Sequence, residues 1–132
     1  MIGCDINGSG GGGGRTTTTN AQAPVITSQP KSANYIFGSG DPVAPLTVSA
    51  TSPDGGTLSY QWYFNDTDSN SGGTAISGGA TAASYTPPTD TIGTIYYYVI
   101  VTNTNNSVNG NKTESVASNT ARIEVAALVN AQ

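Results

Sequence analysis

The chain has 132 residues, with 17 Gly, 7 Pro, one Cys, no His, and 4 basic against 8 acidic side chains for a formal net charge of −4. That length builds one domain, and cations confined to Arg15, Lys31, Lys112 and Arg122 give no basic surface for nucleic acid or anionic lipid. Without His and with one Cys, a His-based catalytic triad, a Cys/His zinc site and an intrachain disulfide are excluded, and no apolar run approaches the ~20 residues of a spanning helix.

Residues 1–22 hold the run from Gly8 to Gly14, interrupted only by Ser9, then Arg15, Thr16 to Thr19, Asn20, Ala21 and Gln22. Apolar content this low does not offset the ordering entropy of Gly. The composition therefore predicts a disordered, flexible tether over 1–22, with an rms reach of roughly 20–25 Å, and a folded domain over 23–132. An engineered Gly/Ser linker is the alternative reading of the tether.

From Ala23 onward, short segments rich in Val, Ile, Thr and Tyr are broken by Gly, Pro, Asn or Asp clusters. That is the punctuation of an all-β antiparallel sandwich or barrel. Pro24-Val25-Ile26-Thr27 reads as an edge strand interrupted at Pro30 and resumed at Tyr35-Ile36-Phe37, since proline is confined to edges. In Pro45 to Thr51, Leu46, Val48 and Ala50 share one face and Thr47, Ser49 and Thr51 the other. Ser52-Pro53-Asp54-Gly55-Gly56 is a turn.

The next strand, Leu58 to Phe64, points Leu58, Tyr60, Trp62 and Phe64 one way and Gln61 and Tyr63 the other, so the sole Trp faces the core. Asn65 to Gly73 reads as a polar loop, Ala75-Ile76 and Ala83 to Thr86 as short strands, and Thr94 to Thr102 as the central strand. Asn103 to Asn111 makes a hairpin tip, and Ala121 to Val125 alternates as the closing strand.

The segments Leu46 to Ala50, Leu58 to Tyr63 and Gly93 to Asn103 together resemble strands B, C and F of the immunoglobulin-like fold, in particular the Ig-like modules of bacterial extracellular proteins. The resemblance covers residues 23–126 and implies a β-sandwich of about seven strands. It implies Trp62 as the core tryptophan and Tyr97 as a tyrosine corner. Where antibody domains carry a disulfide, Val48 and Val99 stand here, which places the stability of the domain on packing.

Three constellations bear on function. Met1-Ile2-Gly3-Cys4 resembles the end of a bacterial lipobox, which implies acylation of Cys4 and makes that lipid the only route to a membrane. A free Cys in the tail is the alternative. Asp66, Asp68 and Asn70 set oxygen atoms at alternate positions, a weak calcium pattern lacking Gly at Ser71 and Glu at Ser77. The other reading is a solvated loop whose Asp and Asn residues favour turns.

On the face opposite the core, Gln61, Tyr63, Tyr96, Tyr98 and Ile100 point the same way. Tyr offers contact area at low entropic cost, so the tyrosines with Gln61 form a candidate ligand surface. Cross-strand pairing is the alternative use of the same tyrosines. No arrangement of catalytic groups or cofactor ligands is present in the pattern. The expectation is a non-enzymatic module on a bacterial cell surface, binding a protein or glycan ligand, with a structural spacer or assembly module as the alternative. A spacer is usually one of several copies, and no second copy occurs here.

Overall fold

The computed structural model describes residues 17–78 and 80–128. Among these there are ten strands and no helix: β1 (Val25–Ser28), β2 (Ala33–Ile36), β3 (Leu46–Thr47), β4 (Ser49–Thr51), β5 (Thr57–Asn65), β6 (Thr74–Ala75), β7 (Ser84–Tyr85), β8 (Gly93–Thr104), β9 (Thr113–Ala117) and β10 (Ala121–Ala126). The β-branched and aromatic run of β8 takes the middle of the larger sheet, whose order is β2–β10–β8–β5–β6. Burial on both sides is what such a run favours.

Two pairs of strands are halves of one. β10 pairs with the first part of β8 (Tyr97↔Ala121) and β9 with the second (Ile100↔Ala117 to Thr104↔Thr113). The break falls at the fully buried Ser118. Its N–H donates to the Val99 carbonyl at 2.9 Å, and its Oγ accepts the Val99 N–H at 3.0 Å, so the hydroxyl replaces a ladder carbonyl where the strand bulges. Similarly β3 and β4 flank Val48, whose N–H donates to the Ala83 carbonyl at 3.0 Å. These interruptions explain why ten short strands stand where about seven were expected.

The remaining strands form two antiparallel pairs, β1–β4 and β3–β7. Leu46 and Val48 from this side pack with Trp62, Tyr97, Val99, Val101, Ala121 and Ile123 of the larger sheet in one core. The architecture is thus sandwich-like, with strand side chains alternating in and out as the sequence requires. Trp62 is fully buried and lies directly across from Val99. Its ring stacks on Tyr85 at 6.2 Å, and Tyr85 meets Tyr97 at 5.7 Å.

Two expectations are corrected here. Tyr35 to Phe37 does not resume the strand begun at Val25. β1 runs antiparallel to β4, whereas β2 runs parallel to β10 in the other sheet. Pro30, buried between them, has no N–H to extend a ladder, and the chain changes layers there. The tyrosine-corner geometry that the resemblance implies at Tyr97 also differs. The ring is buried, but among the described residues its hydroxyl makes no hydrogen bond, and burial with the neighbouring Tyr85 pushes its pKa up to about 12.

Candidate functional site

The register of β5 on β8 sets Tyr63 opposite Tyr98, Asn65 opposite Tyr96 and Gln61 opposite Ile100, with Arg122 of β10 beside Tyr96. The four sequence-picked residues Gln61, Tyr63, Tyr96 and Tyr98 do share one face of the larger sheet. Tyr98 is nevertheless only 2% exposed. Its ring lies flat on Tyr63 at 5.2 Å with 6° between planes, and its Oη accepts the Gly73 N–H at 3.0 Å.

The loop after β5 folds back over this face. Gln61 Nε2 donates to the carbonyls of Trp62 (2.9 Å) and Ile76 (3.1 Å). Asn70 Nδ2 donates to the Ser118 carbonyl at 2.9 Å. A Cβ on Gly73 would lie 2.7 Å from the Phe64 carbonyl oxygen and 2.9 Å from Tyr98 Oη, so the close approach of this loop requires glycine. Gln61 and Tyr98 therefore hold structure, as an outward-pointing side chain can be roofed by its own chain. Tyr63 and Tyr96 stay half-buried. Beside Tyr96, Arg122 pairs with Glu124 at 2.6 Å, and that hydrogen bond and charge hold the guanidinium above its usual pKa.

The calcium pattern is used otherwise. Asp68 accepts the Thr120 hydroxyl, and Asn70 makes the tie to Ser118, leaving Asp66 as the member without such a role. Among the described residues no three carboxylate, thiol or imidazole groups gather. Cys4 lies outside the described residues.

A polar network at one end of the sandwich escaped the sequence reading. Asp54, on the turn between β4 and β5, accepts hydrogen bonds from Asn103 Nδ2 (2.8 Å), Ser52 Oγ (2.9 Å), and the N–H groups of Gln22 (3.0 Å) and Gly56 (3.1 Å). Asn103 is fully buried and also donates to the Gln22 carbonyl at 2.9 Å. Hydrogen bonds from Asn105 above all, then from Gln22 and Asn103, hold the Asp54 carboxyl well below the usual carboxylate range. Its function is docking. Thr17 to Gln22, assigned from composition to the tether, lie against this end.

The docking contacts continue along the β8–β9 hairpin. The Gly110 N–H donates to the Thr19 carbonyl and the Ala21 N–H to the Asn111 carbonyl, each at 2.7 Å. Asn109 donates to the Thr17 carbonyl (2.9 Å) and accepts the Thr19 N–H (2.8 Å). A Cβ on Gly110 would lie 2.1 Å from Asn20 Oδ1.

The opposite end carries exposed apolar side chains. Of the exposed large apolar side chains Val25, Ile36, Phe37, Phe64, Ile92 and Leu128, all but Val25 lie there. Ile36 ends β2, Phe37 follows it, Phe64 precedes the last residue of β5, Ile92 precedes β8, and Leu128 follows β10. Gly93 pairs with Val125, so one further step of register puts Ile92 beside Ala126, which pairs with Ile36. Next to this row is a cleft of about 520 Å³ between the segments Tyr35–Asp41 and Pro88–Asp90. Its first wall is set by a tight turn with Gly38 and Gly40 at φ of 76° and 77°, values only glycine adopts without strain.

No protein-family model, no curated protein and no solved structure matches this chain.

Proposed function

We propose that the chain is a non-catalytic binding module of a bacterial cell surface, built on an immunoglobulin-like sandwich and engaging its ligand at the end with exposed apolar side chains. The fold part of this reading draws support from strand order. β5, β8 and the β9/β10 strand lie side by side as C, F and G do in that fold, with β6 in the place of an added C′ strand, while β3 and β4 pair with β7 and β1 on the other side.

The observation that carries the binding reading is the gathering of half-exposed apolar side chains at one end, with Ile92 53% and Phe37 43% exposed beside a cleft. Contiguous apolar surface on a soluble domain marks an interaction site. Orientation fits too. The first described residues, Thr17 to Gln22, lie at the far end of β8, whose twelve residues span ~40 Å. A module held through its N-terminal segment, by a lipid on Cys4 or otherwise, then turns the cleft outward.

The test is an array of glycans and matrix proteins probed with the full chain, with a Phe37→Ser, Ile92→Ser variant and with a Tyr63→Ala, Tyr96→Ala variant, each checked for unchanged melting. Binding lost only in the first variant is expected. Loss only in the second would move the site to the sheet face. Absence of binding by all three would overturn the reading in favour of a spacer.

A further inference from the structure

We infer that the cleft between Tyr35–Asp41 and Pro88–Asp90 is a subsite for a neutral saccharide, an inference that rests on the binding-module reading and names its ligand class. The cleft combines two kinds of group. Phe37, 43% exposed, offers an aromatic ring, and Asp41 and Asp90, both exposed, line the same space with Ser39 and Thr89.

A pyranose presents the same combination in reverse. Its axial C–H face is apolar and packs on a ring, while its equatorial hydroxyls are donors that a carboxylate accepts in pairs, giving charge-assisted hydrogen bonds. Among the described residues no Lys or Arg lines the cleft. Two uncompensated carboxylates repel a phosphate, sulfate or sialic acid group, which restricts the saccharide to a neutral one. The turn that carries Phe37 and Asp41 is closed by the Ser39 N–H on the Ile36 carbonyl at 3.1 Å and the Asp41 N–H on Ser39 Oγ at 3.2 Å. The Tyr35 hydroxyl, accepting the Ala44 N–H at 3.1 Å, ties down the loop beyond it. Preorganisation of this kind lowers the entropic cost of binding.

The experiment is amide NMR of the ¹⁵N-labelled full chain titrated separately with the hexasaccharides of cellulose, xylan, mannan, chitin and amylose, and with a lysine-rich peptide. At least one saccharide is expected to shift the amides of Phe37, Gly38, Gly40 and Asp90 with a dissociation constant on the order of 1 mM. Phe37→Ala is expected to weaken it about tenfold or more, and Asp90→Asn, at an exposed position that leaves the fold intact, about tenfold. Any one of three results overturns the saccharide assignment: no shift of cleft amides by any saccharide, cleft shifts produced by the basic peptide alone, or affinity unchanged in both variants. Saccharide shifts confined to Tyr63 and Tyr96 would overturn the cleft while leaving a binding module. Silence toward every probe here, together with an empty array, would remove both.

Discussion

Replacing Trp62 by Ala tests whether packing around this ring holds the two layers together. The side chain is fully buried, lies across from Val99 of its own sheet and shares the core with Val48 of the other layer, with Tyr85 stacked on it. Truncation to Ala removes ~150 Å² of buried apolar surface, worth about 4 kcal/mol at ~25 cal/mol per Å². It also removes the Nε1–H donated to the Ala82 carbonyl at 2.8 Å, which adds about 1 kcal/mol. The sum, about 4–5 kcal/mol, agrees with the range for large aromatic truncations. For a domain of this size it corresponds to a fall in Tm of roughly 15–20 °C. Trp62→Phe keeps most of the contact and loses the indole N–H, so about 1–2 kcal/mol is expected. Equilibrium denaturation in urea, with the m-value compared across the three proteins, measures both. A loss below about 1.5 kcal/mol for Trp62→Ala, or an equal loss for Phe and Ala, would refute the account of the core.

Three further outcomes are expected. Gly110→Ala forces a Cβ onto Asn20 and Thr19, so the amides of Thr19 and Ala21 should lose hydrogen-exchange protection while those of Val99 and Val101 keep theirs; unchanged protection at Thr19 would show that the docked segment does not depend on this contact. Asp54 has a depressed carboxyl in the folded protein, so its contribution is complete above its ordinary value of 3.8 and is lost as the pH falls below that toward the folded-state value. Asp54→Asn should therefore flatten the acid limb of the stability curve below pH 3.8, and a limb of unchanged slope would remove Asp54 as its cause. Tyr97→Phe deletes a buried hydroxyl without a partner among the described residues; stability is expected to stay level or rise by up to about 1 kcal/mol, and a loss larger than that would reveal a hydrogen bond at this hydroxyl.

What was legible in the sequence was period and face. Alternation in Leu46 to Thr51, in Leu58 to Phe64 and in Ala121 to Val125 assigned the core side chains, including Trp62, with the exception of Phe64, which shares their face but lies exposed near the strand end. Asn103 has the parity of Tyr97, Val99 and Val101, which places a polar residue on the core face, where it requires partners. Period does not reveal which strand pairs with which, and β1 and β2 therefore looked like one strand until Pro30 was found to separate two sheets. Nor does pointing outward mean meeting water. Tyr98 is covered because a glycine at position 73 lets a polar loop lie flat on it, and a Gly in a run of Ser, Asn and Gly carries no local mark of that task. The docking of Thr17 to Gln22 was hidden for a related reason, since it depends on side-chain and backbone hydrogen bonds to Asp54, Asn103 and Asn109 across more than thirty residues of sequence, and composition records no partner.

The two ends of the sandwich differ in what closes them, and the difference follows from their residues. At the Thr104 end, buried Asn103 would be costly alone, and it is satisfied by the Asp54 carboxylate and the Gln22 carbonyl, with the Gln22 N–H in turn donating to Asp54, so polar groups there serve closure. At the Gly93 end the exposed groups include Ile36, Phe37 and Ile92, which gain nothing from water and have no segment folded across them among the described residues. Stability alone would favour polar residues at those three exposed positions, as it does on the strand faces around them. Their place beside a cleft walled by a tight glycine turn supports the proposed contact surface over a spacer, and the Phe37→Ser, Ile92→Ser variant separates the two: on the proposed reading it melts at the same temperature as the parent or higher and loses only binding.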